Sequence, residues 1–231
     1  MNKKLFECIF NESIAVISLE WKCKYQALLE NEHWSCISQR VFYFLFENKI
    51  THNPLPVFSE EIIVDFTLHY EYFNPLKGLI VNPEKSKNEK IEYIAKVIEQ
   101  TPIASLLIIL GQRKTTATIT DQNGIPPLKE ALLTNCFKLH NKQISKATRA
   151  REKHISRNKE GSFWGEIKGN PQQKENTTKI ILNKIFEEST WWNVFTHYKH
   201  GVVYEIRVAT GQGVRWKKNN LELIGFLEPF M

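Results

Sequence analysis

The sequence predicts an α+β fold: a helical N-terminal part, with a small, largely antiparallel sheet that includes the C-terminal strands. Two patterns predict it. Apolar residues keep a helical period through Ile14, Ile17, Trp21, Tyr25 and Leu28, and again through Ile37, Val41, Phe44 and Leu45. Near the C-terminus the period falls to two, because Val202, Tyr204, Ile206 and Val208 alternate with Val203, Glu205 and Arg207.

Taken in order, the first helix spans about Ile14 to Leu28, and the second is apolar nearly all round, which places it deep in a core. Asn53-Pro54-Leu55-Pro56 breaks the pattern. Ile62 to Glu71 alternates as a strand, although Ser59-Glu60-Glu61 also resembles a helix start. A polar loop then leads into an amphipathic helix carrying Ile91, Ile94, Ala95 and Ile98, which Pro102 stops. The continuous apolar run Ile103 to Leu110 predicts a central strand, and Thr115 to Thr120 a second. After the Asp121-Gln122-Asn123-Gly124 turn, Pro126-Pro127 opens a helix whose period runs through Leu128, Ala131, Leu132 and Leu139. A basic helix follows, then a loop with Phe163-Trp164-Gly165, then a helix from about Gln172 to Glu188. The rest reads as β, with a turn at Thr210-Gly211-Gln212-Gly213 and a last strand from about Leu221 to Leu227. The division expected is an acidic part over residues 1–125 and a basic part over 126–231, with one compact domain as the alternative.

With 231 residues, 42% of them hydrophobic, the chain can bury a core. Its longest apolar runs, Val41 to Phe46 and Ile103 to Leu110, fall short of the roughly 18 residues of a membrane span. Glu7, Asn11 and Glu12 interrupt the apolar stretch behind Lys3-Lys4 before a secretory leader can form. The expectation is a cytoplasmic protein with no membrane partner. Cys8, Cys23, Cys36 and Cys136 form no C-x-x-C pair, so neither a zinc ribbon nor a disulfide framework is indicated.

Charge is unevenly spread. Residues 1–110 carry 11 Lys/Arg against 14 Asp/Glu, whereas residues 111–231 carry 20 against 11. In the densest window, Lys142, Lys146, Arg149, Lys153 and Arg157 are spaced to form one stripe of a helix. Such a stripe repels itself unless something negative lies along it, which points to phosphate-bearing ligands or nucleic acid. A solvated basic face is the plain alternative, and an acidic protein partner would satisfy the same stripe.

No P-loop and no dinucleotide fingerprint occurs, so no cofactor is named by the sequence. Gly211 and Gly213 beside Arg215 suggest an anion cradle or an ordinary hairpin turn. His197 and His200 lack a third ligand at a telling spacing, and no metal site is expected. Glu205, Arg207, Arg215 and Glu228 converge at one sheet end if the last strands pair antiparallel. There two guanidiniums would grip an anion while a glutamate acts as base, a pairing that could serve nucleotide or ADP-ribosyl transfer. Cross-strand ion pairing is the alternative. Trp164, Trp191, Trp192 and Trp216, with Phe163, Phe195 and Tyr198, set aromatics among cations, as base stacking requires and as a core also does. Trp216 is the stacking residue nearest the glycine turn.

The succession Phe163-Trp164-Gly165, Trp191-Trp192-Asn193, Tyr204-Glu205-Ile206-Arg207, Gly211-x-Gly213-x-Arg215-Trp216 and Gly225-Phe226-Leu227-Glu228-Pro229 resembles an uncharacterised family of bacterial, fungal and algal proteins. The resemblance covers about residues 140–231 and implies functional weight at these residues without naming a reaction. Lysine-, asparagine- and isoleucine-rich composition hints at an AT-rich genome and admits a host-directed bacterial effector. The leading expectation is a phosphate- or nucleic-acid-directed binding protein or enzyme with its site in the basic half. The alternative is an interaction module or effector without catalysis.

Overall fold

The computed structural model describes residues 2–51, 59–157 and 163–229, and the fold is α+β. The chain forms two compact units. One comprises residues 1–55, 63–112 and 120–125; the other comprises 56–62, 113–119 and 126–231.

The first unit is helical. Helix α1, Lys3–Val16, is capped by the Asn2 side chain and buries Phe6, Ile9 and Phe10. The single helix expected over Ile14 to Leu28 is broken: Ser18 accepts from the Trp21 N–H and restarts the chain as α2, Leu19–Tyr25, before a 3-10 turn at Gln26–Leu29. The apolar period survives the break, since Ile17, Trp21 and Leu28 are all buried. Helix α3, Asn31–Glu47, is the deep helix expected, and Asn48 ends it in the left-handed conformation at φ 51°. The Asn53-Pro54-Leu55-Pro56 break lies outside the described residues.

Ile62 to Glu71 is not a strand. Ile62 makes one isolated bridge to Lys114, and Asp65 then caps helix α4, Phe66–Tyr70. Phe66 and Tyr70, four apart, are buried, whereas Leu68 between them is exposed, so burial follows the helical period and the alternation was coincidental. Helix α5, Asn74–Val81, follows, and then α6, Lys87–Gln100, opened by a Ser86–Glu89 capping box. The run Ile103–Leu110, expected as a central strand, is helix α7. Pro102 precedes it, and Gly111 closes it at φ 108°. Leu106 to Leu110 are all buried, so no polar face marks the turn, and a buried helix then reads like a buried strand.

In the second unit, Leu128 is the N-cap of α8, Lys129–Cys136, and Leu139, expected on that helix, lies beyond it and is exposed. A turn closed by Leu139–Ser145 bridging leads to α9, Lys146–Arg157, where Ser145 Oγ accepts from the Thr148 N–H at 3.1 Å. Helix α10, Pro171–Glu188, opens with an Asn170–Gln173 capping box. Strands β1 (Ser189–His197), β2 (Gly201–Val208), β3 (Gly213–Lys217) and β4 (Leu223–Leu227) form an antiparallel sheet in sequence order. Val194, Tyr204, Ile206, Val214, Trp216 and Phe226 face a core shared with Leu132, Ala147, Leu182 and Ile185 of the three helices. Thr115 to Thr120 is not a strand either. Residues 115–118 form a turn, and the segment touches the outer edge of β1 through bonds such as Ile119 N to Val194 O at 2.9 Å.

Candidate nucleic-acid interface

Helix α9 lies along the edge strand β4. Its inward side is short and unusual: Ala147, Thr148 and Arg151 are buried, and Thr148 Oγ1 donates to Thr178 Oγ1 of α10 at 3.0 Å. The opposite side carries Lys146, Arg149, Lys153 and Arg157. With His140, His154 and residues 222–226 they line a groove of about 430 Å³ between α9 and β4. Four of the five stripe cations expected from spacing therefore share one concave surface. Lys142 does not, because it sits in the turn before α9 starts. Glu152, the acid within the stripe's span, is drawn aside to Lys174 of α10 at 2.9 Å. It also makes a longer ion pair with Arg149 at 3.9 Å.

Within this groove His154 Nε2 shares a hydrogen bond of 2.7 Å with Glu228 Oε1. The same oxygen accepts from Trp164 Nε1 at 2.8 Å. The His154 ring stands edge-on to the Trp164 indole, with centroids 4.9 Å apart. Arg151, fully buried, donates to the carbonyls of Trp164 and Glu166, both at 2.8 Å, and so holds the loop that carries the indole. Burial lowers the Arg151 pKa, with Glu152 opposing, yet leaves a guanidinium far from titrating at neutral pH. Sequence reasoning missed His154. It lies next to Lys153 on the helix face already marked by charge, and its carboxylate partner is 74 residues away.

The four residues proposed to converge do so only in part. Glu205 is fully buried and accepts from Arg207 Nε and Arg215 Nε, each at 2.5 Å. These three side chains share the sheet face away from the helices, since they alternate with Tyr204, Ile206, Val214 and Trp216 of the core. The Glu228 carboxylate lies on the other face, with Trp164 and His154. What joins the two faces is the backbone: Arg207 Nη1 donates to the carbonyl of Glu228 at 2.9 Å and to that of Gly211 at 2.5 Å. Burial lowers the Arg207 pKa while Glu205 opposes the shift.

The glycines serve this clamp and the hairpin. A Cβ on Gly213 would lie 2.2 Å from Ile206 O and 2.6 Å from Arg207 Cγ, so only glycine lets Arg207 cross. Gly211, at φ 93°, donates its N–H to Val208 O at 2.8 Å, which commits that group to the turn rather than to an anion. Trp216 is no stacking platform, because it is fully buried and its Nε1 donates to Cys136 Sγ at 3.2 Å. Trp164 and Trp191 are buried as well. Among the described residues, no three His, Cys, Asp or Glu side chains gather as a metal ion would need, and His197 and His200 stand as a pair.

No curated protein and no solved structure matches the chain. Residues 133–228 match the family described as the CdiA C-terminal tRNase toxin domain. That stretch covers about two fifths of the chain and contains α9, the groove, the whole sheet and Glu228. By this likeness the basic unit is similar to a nucleic-acid-directed bacterial toxin domain.

Proposed function

We propose that the second unit is an RNA-cleaving effector domain, with tRNA as the substrate class and the groove between α9 and β4 as its site. The observation that carries this reading is the His154–Glu228 pair set among Lys146, Arg149, Lys153 and Arg157. Cations at these positions track a phosphate backbone, and an imidazole beside them moves the proton that backbone cleavage requires. In the reaction, His154 takes the proton of a ribose 2′-hydroxyl. The oxygen then bonds to the adjacent phosphorus, and the bond from phosphorus to the 5′-oxygen breaks. The products are a 2′,3′-cyclic phosphate and a 5′-hydroxyl that draws its proton from solvent. Glu228 orients the ring and stabilises its protonated form, while Lys153 and Arg157 offset the negative charge that grows on the phosphoryl oxygens. The tRNase toxin likeness over residues 133–228 supports the substrate class.

The test is incubation of purified tRNA with the protein and with its His154→Asn and Glu228→Gln variants, followed by end-group analysis of the fragments. The wild type is expected to leave cyclic phosphate ends, and His154→Asn to lose about 10²–10⁴-fold in rate. Full activity in His154→Asn, or no cleavage by the wild type, would sink the reading. Loss of cleavage with an acidic protein retained on the same cations would favour an interaction module instead.

A further inference from the structure

Among the described aromatic residues of the basic unit, most are buried or half-buried and Tyr198 is exposed. Tyr198, in the β1–β2 turn, is 95% exposed. Its ring is nonetheless ordered against a neighbour: it stacks on His197 with centroids 4.6 Å apart and planes at 23°. The His200 ring lies 4.9 Å from that of His197, tilted by 34°. The His197 ring is fixed in turn, because its Nδ1 accepts from the Lys199 N–H at 3.1 Å. Burial, with the charges of Arg215, His200 and Lys199, lowers the His197 pKa, against the pull of Glu205. Behind it, the Arg215 guanidinium lies over the Phe195 ring at 5.7 Å.

Register places this cluster at a particular end of the sheet. His197 pairs with Gly201, and Trp216 pairs with Leu223, so the β1–β2 and β3–β4 turns lie at the same end. Lys218 N donates to Val202 O at 2.9 Å and ties the two turns together. Glu222, in the β3–β4 turn, also lines the mouth of the groove beside Lys146. A polyanion running along α9 from His154 towards Lys146 leaves the groove at that end. In the plane of the sheet, β4 to β2 or β1 is two or three strand spacings, roughly 10–15 Å, and because His197 lies with Asn193 on the face of Glu205, away from the helices, the RNA rounds this end of the sheet to reach it. Lys199, in the same turn as Tyr198, is exposed.

We propose that the Tyr198–His197 stack is a base-stacking platform for an unpaired nucleotide of the RNA held in the α9–β4 groove. An exposed ring stacked on a neighbouring imidazole offers what a nucleobase needs, and stacking of this kind reads the presence of an unpaired base rather than its identity. The platform thereby favours single-stranded or loop segments over duplex. The proposal rests on the reading of the groove as an RNA path.

The test uses the full chain carrying His154→Asn, so that RNA is bound without being cut, and a fluorescein-labelled single-stranded oligoribonucleotide with a 2-aminopurine at successive positions. Adding Tyr198→Ala is expected to weaken binding by roughly five- to 100-fold, and to abolish 2-aminopurine quenching at one position. Tyr198→Trp should restore both. If Tyr198→Ala binds as tightly as its parent while Lys153→Glu weakens binding, the platform is wrong and the groove stands. If the parent binds no RNA, both fail.

Discussion

Glu205 and Glu228 show how two carboxylates close in sequence to the same arginines take different parts. Glu205 has no exposed surface and is gripped by two guanidiniums, so its charge offsets theirs. Replacing it by Gln leaves Arg207 and Arg215 facing an amide, and the expected cost is about 3–5 kcal/mol of unfolding free energy, read by chemical denaturation. Glu228 is partly exposed and its carboxylate touches His154, so Glu228→Gln should abolish cleavage while the melting temperature barely moves. An unchanged stability in Glu205→Gln would show that its burial is not structural. Arg151 belongs with Glu205. Its substitution by Leu strands two carbonyls that it now satisfies, at about 1–3 kcal/mol each, and should loosen Trp164 and with it Glu228.

At the scale of elements, α9 sets function against stability. Lys153 lies four residues from both Arg149 and Arg157, and such like-charge pairs each cost a few tenths of a kcal/mol. Lys153→Ala should therefore raise unfolding free energy slightly, by about 0.5 kcal/mol, while weakening RNA binding several-fold. A fall in both quantities would mean that Lys153 has a packing role. The packing of α8 against the sheet is coupled to pH through Cys136. Burial pushes this thiol up to about 11, with the Trp216 hydrogen bond opposing the shift. Because the folded state holds the proton to higher pH than the unfolded chain, this thiol's contribution to stability is constant below about pH 8.5. It then falls as pH rises towards 11. Urea titrations at pH 8 and 10 should show the fall, and Cys136→Ala should remove it.

Across the whole molecule, the concentration of positive charge in one unit makes salt the simplest readout. If the four groove cations each meet one phosphate, the logarithm of the RNA association constant should fall against log salt with a slope near −3. Reversal of Arg149 and Lys153 together should reduce that slope by about half. A slope unaffected by the reversal would place the RNA elsewhere on the basic unit. No single helix of the described residues is long and apolar enough to cross a membrane.

Periodicity and spacing determined a good deal by themselves. The alternation over Val202 to Val208 became β2, the helix expected from about Gln172 to Glu188 became α10, and the stripe from Lys146 to Arg157 became one cationic surface. These features are local, since each depends on residues within a few turns or one hairpin. Tertiary structure decided the rest. Ile103 to Leu110 is buried on all sides, so its sequence carries no face from which to tell helix from strand, and only Pro102, Gly111 and the packing on α3 and α4 make it a helix. The pairing of His154 with Glu228 was equally hidden, because it depends on which edge strand α9 lies against. So was the division of Glu205 and Glu228 between two sheet faces, since a carboxylate just past the end of a strand follows its last residues, and Phe226 turns that end towards the core.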